Sequence, residues 1–167
     1  MSSSPKFFSF PNPVNDVATR ITASVIAAIA VLALVLGQPW VVAVLAYGFV
    51  ARVLAGPRLS PLALVVTRVV VPRLKLPTRP VAGPPKRFAQ SIGAVVTLAG
   101  TICYFGFGLS TATYGLLALL GIFALLESMF GICVGCKIFG LGMRLGLVPR
   151  EICAECENIW SRIPLPS

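Results

Sequence analysis

Four long apolar runs limit what this chain can fold into more than any other feature. The first spans Ile21–Leu36 and extends back to Ala18; after the turn Gly37–Trp40 a second runs from Trp40 to about Ala55, with Arg52 inside it. The third covers Phe88–Leu109, and the fourth runs from Ala112 to about Cys136, with Glu127 inside it. A helix crossing a bilayer needs about 17–25 residues. The third and fourth runs meet that length directly, and the two shorter ones meet it if Arg52 snorkels and flanking Thr and Trp occupy the interface. Only 11% of the 167 residues are charged, against about a quarter in a soluble domain. With 57% hydrophobic residues, the chain carries more apolar surface than a core of this size can bury, so lipid is the expected solvent.

The expected fold is therefore an all-α integral membrane protein of four transmembrane helices arranged as two hairpins. A polar tail (1–17) precedes the first hairpin (18–56); a basic, amphipathic connection (57–87) leads to the second (88–136), and a segment with an amphipathic helix follows (137–167). The tail is Ser- and Pro-rich and does not read as a signal peptide.

Charge sets the expected orientation. The turns "GQP" and "LSTAT" carry no charge, whereas the connection holds Arg52, Arg58, Arg68, Arg73, Lys75, Arg79, Lys86 and Arg87. Lys6 and Arg20 precede the first run, and Lys137, Arg144, Arg150 and Arg162 follow the last. All fourteen basic groups fall on one side of a four-span arrangement, which the positive-inside rule makes cytoplasmic. The expectation is a multi-pass protein of the cell membrane with both termini inside. Within the connection, Ala63–Val71 is apolar, bounded by Pro61 and Pro72, and too short to span; it suits the headgroup region. No aromatic residue is interleaved among those basic groups, so the lipid bilayer, not nucleic acid, is the expected partner.

A weak internal echo suggests duplication. "TRITASVIAAI" opens the first hairpin and "KRFAQSIGAVV" the second; at their ends, "FVARVLAGPRLSPL" and "FALLESMFGICVGC" set Gly56 against Gly131 and Pro61 against Cys136. Glu127 then falls opposite Arg52 or its neighbour. Charges inside spans usually face the bundle interior and pair, so an Arg52–Glu127 ion pair is expected. The alternative is Glu127 as a proton acceptor for the thiols, which an unbroken helix would keep apart and a break at Gly131 would bring closer.

The chemistry rests on cysteine, since the chain has no histidine to serve as base or ligand. Cys103 reads as a small packing residue. Cys133, Cys136, Cys153 and Cys156 form two C-x-x-C pairs, and a cytoplasmic location disfavours a permanent disulfide. One reading is a redox-active or sulfur-carrying dithiol at Cys133 and Cys136, with a thiolate favoured if Gly131 makes the pair the start of a new helix. A second is a zinc site of all four thiolates, whose spacing fits. A third is packing, strongest for Cys153 and Cys156, which share the apolar face of "REICAECENIWSR" with Ile152, Ile159 and Trp160.

"PPKRFAQSIGAVV" and "LLESMFGICVGCKIF", running from Pro84 and from Leu125, resemble an uncharacterised family of small, multi-span bacterial membrane proteins of actinobacterial type. The resemblance covers about Asn12 to Phe139 and is most specific at Pro85–Gln90 and at Phe130–Cys136, with Lys86 as a departure. It implies a sulfur or thiol-redox setting, with a thioredoxin-like or sulfurtransferase protein as partner, and no established activity. The leading expectation is a membrane-embedded thiol protein in thiol–disulfide redox or sulfur transfer. The alternatives are a zinc-stabilised scaffold and a subunit of a small sulfur-compound transporter.

Overall fold

A computed structural model describes residues 13–149. Helices dominate. A two-residue strand β1 (Val14–Asn15) leads into α1 (Asp16–Val35), and α2 (Val41–Ala55) returns alongside it. A 3-10 turn (Gly56–Arg58) then leads to α3 (Pro61–Val65), which widens into a π turn (Val66–Val70) and closes as α4 (Val71–Arg73). A second short strand β2 (Pro80–Val81) precedes α5 (Gly83–Phe107), α6 (Ser110–Phe130) and α7 (Val134–Arg144). Four helical stretches, beginning at Asp16, Val41, Gly83 and Ser110, are long and apolar enough to cross a membrane. Their outward faces carry large exposed apolar side chains such as Val44, Tyr47, Val95, Ile102, Phe105 and Ile122, the surface a bilayer solvates. This is the multi-pass helical fold expected from the sequence.

Local chemistry accounts for the helix boundaries. Asn15 caps α1, its side-chain oxygen accepting from the Val17 N–H at 3.1 Å, and Asp16 in the first turn suits the positive helix end. Helix α5 starts five residues before the expected Phe88, because Pro84 and Pro85 occupy a first turn that needs no backbone donor. That shift takes Lys86 and Arg87 out of the connection and into a helix. Helix α6 stops at Phe130, short of Cys136, because Gly131 (φ 66°) takes the left-handed conformation that ends a helix.

The hairpins pack reciprocally, α1 against α6 and α2 against α5, as two copies do about a twofold axis running along a bundle. Three further details follow the same relation. Strands β1 and β2 pair antiparallel with Val14 opposite Val81, residues that are equivalent in the aligned halves. Arg20 donates to the carbonyls of Ser128 (3.3 Å) and Met129 (3.5 Å) at the end of α6. Its counterpart Arg87 donates from Nε to the carbonyl of Val53 (3.2 Å) at the end of α2. Each arginine thus satisfies helix-terminal carbonyls of the opposite hairpin. Each hairpin also ends in a positive-φ glycine, Gly56 or Gly131, followed by a short helix. These contacts follow the echo in the sequence.

At the centre, Ile26, Val42, Leu45, Phe49, Leu117 and Leu120 interlock with Ala27, Ala33, Ala94 and Ala124. Small residues let helices approach where the surrounding solvent is apolar. Gly93 shows this: an added Cβ would collide with the Phe49 ring.

Candidate functional site

The ends of the four long helices meet where α1 and α5 begin and α2 and α6 finish. Strand pairing and the Asp16 N–H bond to the Arg79 carbonyl (2.8 Å) hold the start of α1 beside the start of α5. Lys86, on the first turn of α5, is buried there. Its ammonium lies 2.7 Å from Glu127 Oε1 on α6 and 3.0 Å from Asp16 Oδ1 on α1. Lys86 is thus the direct partner of Glu127. Arg52, expected in that role, is also buried and feels the Glu127 charge. Its Nε donates instead to the Gly48 carbonyl one turn back (2.9 Å), and its guanidinium lies 4.3 Å from the centre of the Phe49 ring, a favourable cation–π contact. The physical reason is reach: the upstream start of α5 brings a flexible ammonium between two carboxylates, leaving the guanidinium on its own helix.

Gly131 turns the chain so that Cys133 becomes the residue capping the start of α7, with extended backbone (φ −84°, ψ 105°). Cys136 falls in the first turn, and its N-terminal neighbour Gly135 lies against α5, where an added Cβ would come within 2.5 Å of the Ala89 Cα. Cys133 is buried and Cys136 half-buried, and both are free thiols. A hydrogen bond from Cys136 pulls the Cys133 thiol below its ordinary pKa, against the opposing effect of burial, with Lys86 contributing attraction. The same hydrogen bond and burial push Cys136 up. The start of a helix also favours a thiolate. Within the pair, Cys133 is the more readily ionised thiol and Cys136 the hydrogen-bond donor to it.

Both halves wall a cavity of about 340 Å³ at this end of the bundle. Its polar lining includes Arg52, Lys86, Gln90, Glu127 and Cys133, and its apolar lining comes from α1, α2, α5 and α6. Positions that the sequence echo aligns line it together: Thr19 and Lys86, Ala23 and Gln90, Ile26 and Gly93, Arg52 and Glu127, Ala63 and Ile138. The cavity therefore sits about the axis of the repeat. Short helices close it on two sides, α3 through Ala63 and α7 through Gly135 and Ile138.

The structure brings together Arg52, Glu127 and Cys133, all named from sequence, on one cavity. It adds three residues that the sequence reading left in loops or unremarked: Asp16, Lys86 and Gln90. The Pro84–Pro85 pair could have signalled Lys86, since it marks a helix start just before it. Cys103 is half-buried on α5, away from the cavity lining. Cys153 and Cys156 lie outside the described residues. Among the described residues no three metal-ligating side chains gather.

Neither the curated proteins nor the solved structures yielded a match to this chain. A family model does match, over residues 14–144, which takes in both hairpins, the charge cluster and the Cys133–Cys136 pair. The chain belongs to the family described as a domain of unknown function, DUF4395.

Proposed function

We propose that this protein is a membrane-embedded thiol–disulfide exchanger whose working groups are Cys133 and Cys136, facing the cytoplasm. One observation carries the reading: Cys133 caps a helix start on the wall of a cavity, with a lowered pKa, and Cys136 lies one turn away. The cytoplasmic orientation is supported by the basic residues that cluster at the same end.

The two thiols have different duties. When Cys133 and Cys136 are joined as a disulfide, an incoming thiolate of a soluble, thioredoxin-like dithiol protein bonds to the sulfur of Cys136, the more accessible of the two. The S–S bond breaks toward Cys133, which leaves as the stabilised thiolate; a leaving thiol of lower pKa departs faster. The partner's second thiol then displaces Cys136, and the partner departs as a disulfide. A Cys133 thiolate would equally suit attack on the outer sulfur of a small persulfide, whose S–S bond breaks and whose inner sulfur leaves as a thiolate, so that Cys133 carries the sulfane sulfur as its own persulfide.

Detergent-purified protein equilibrated with a thioredoxin couple at stepped potentials tests this. Alkylation under denaturing conditions followed by mass measurement should show Cys133 and Cys136 losing and regaining reactivity together, with Cys103 unaffected. Substituting either one by Ser should abolish the cycle. Two thiols that stay alkylable at every potential would rule the exchanger out.

A further inference from the structure

We propose that the cavity is a quinone-binding site, with Arg52 as the hydrogen-bond donor to a ring carbonyl and the Cys133–Cys136 dithiol as the reductant. This rests on the thiol reading above and supplies that dithiol with an electron acceptor.

Charge balance argues against an anionic occupant. Arg52 and Lys86 offset Asp16 and Glu127, so the cavity is neutral; an anionic ligand, finding no net positive charge in so poorly solvated a place, would be disfavoured. A neutral ligand is not. Two polar groups nonetheless lack partners for part of their capacity. Among the described residues, the buried Arg52 guanidinium donates one side-chain hydrogen bond, to Gly48, out of five N–H groups it carries. The Gln90 side-chain oxygen is buried, with no hydrogen-bond partner among the described residues. A buried polar group left unpaired is costly, and both of these residues line the same cavity. A donor, an acceptor and apolar walls from Ile26, Phe49, Val96 and Leu120 describe a receptor for a flat, apolar ring. The ring presents a carbonyl when oxidised and a hydroxyl when reduced. Its volume of about 340 Å³ is in the range of small-molecule sites. The helices around it are of membrane-spanning type, so a lipid-soluble quinone reaches it from the bilayer.

The step balances without another co-reactant than the quinone. The Cys133 thiolate and the Cys136 thiol form one S–S bond and release two electrons, which reduce the quinone to the quinol. Of the two protons the quinol gains, one comes from the Cys136 thiol and one enters from solvent by way of the Lys86–Glu127 pair. Arg52 donates to the oxygen on which negative charge develops, the role preorganised donors fill in a site shielded from water.

Duroquinone, whose ring positions are all substituted, is the probe. Added without oxygen to the full-length Cys136→Ser protein, it should give a visible charge-transfer band from the Cys133 thiolate to the ring. With reduced wild-type protein it should yield one quinol for each Cys133–Cys136 disulfide formed. Arg52→Gln should weaken the band's concentration dependence at least tenfold and Arg52→Lys should restore part of it, while alkylation of Cys133 by a small neutral reagent stays within twofold of wild type. Absence of both the band and quinol, in protein whose Cys133–Cys136 disulfide diamide still forms, overturns the quinone site alone. Indifference to Arg52→Gln overturns the assignment of Arg52. If diamide cannot form the disulfide either, the thiol reading falls together with the quinone site.

Discussion

The two hairpins share a backbone plan and differ in what they place on it. Both begin with a helix whose arginine, Arg20 or Arg87, reaches carbonyls of the opposite hairpin. Both end at a positive-φ glycine, followed by a short helix that walls the cavity. At equivalent points across the axis the first half holds Thr19, Ala23, Arg52, Arg58 and Pro61, where the second holds Lys86, Gln90, Glu127, Cys133 and Cys136. The scaffold is symmetric and the chemistry is not. A repeat alone would put equal charges at equivalent points, where they would repel; divergence at Arg52 and Glu127 turns a like-charge clash into an attraction. It also confines the cavity's thiol, Cys133, to one wall.

Substitutions at matched positions sharpen the comparison. Lys86→Ala removes a buried cation and leaves the half-buried Asp16 and Glu127 carboxylates beside one another, which should cost about 2 kcal/mol, less than breaking a fully buried pair. Thr19→Ala, at the equivalent place, should cost less than about 1 kcal/mol. Thermal unfolding in detergent compares them, and equal losses would contradict the asymmetry. Gly135→Ala should cost a similar amount, about 2 kcal/mol, since its Cβ would meet the α5 backbone at Ala89; by lifting α7 it should also expose Cys133 to alkylation. Its counterpart is Ser60, buried with an unpartnered hydroxyl, so Ser60→Ala should be neutral or stabilising. The smallest effects should be equal ones. Arg20→Ala and Arg87→Ala each remove a cation from a helix C-terminus and should cost about 0.5 kcal/mol apiece. Unequal losses there would show that the twofold relation does not extend to the helix ends.

Much of this arrangement was legible in the sequence. Hydropathy marks all four long helices, and the aligned glycines mark where two of them stop. The polar partnerships were not legible. Arg52 and Glu127 were expected to pair because they are the conspicuous charges inside apolar runs, yet the contact to Glu127 goes to Lys86. Hydropathy counts Lys86 as loop because it follows two prolines. The backbone counts it as helix, since proline suits a first turn. Asp16 was hidden in the same way, by sitting at a helix start in a polar tail. At Gly131 the sequence allowed both a continuous helix and a break, and the difference decides the state of the thiols. A continuous helix would leave Cys133 and Cys136 near a negative helix end, whereas the break sets them at a positive one. The left-handed turn at Gly131, packed against the Arg20 guanidinium, is a tertiary outcome that local composition does not encode.

The central claim is that this break sets Cys133 at the cavity wall with its pKa lowered below that of an ordinary thiol. A pH series of iodoacetamide alkylation on the reduced protein, read separately at Cys133 and Cys136 by mass spectrometry, tests it most directly. An ordinary thiol gains reactivity through its pKa of about 8.5. Because the folded-state pKa of Cys133 is lowered, its thiolate persists to more acid pH, so its rate profile should rise at lower pH than that value. The profile should move up in Cys136→Ala, which removes the hydrogen bond, while Cys136 in the folded wild type should react only at higher pH than an ordinary thiol. A Cys133 profile centred at or above the ordinary thiol value, unmoved by Cys136→Ala, would contradict the account.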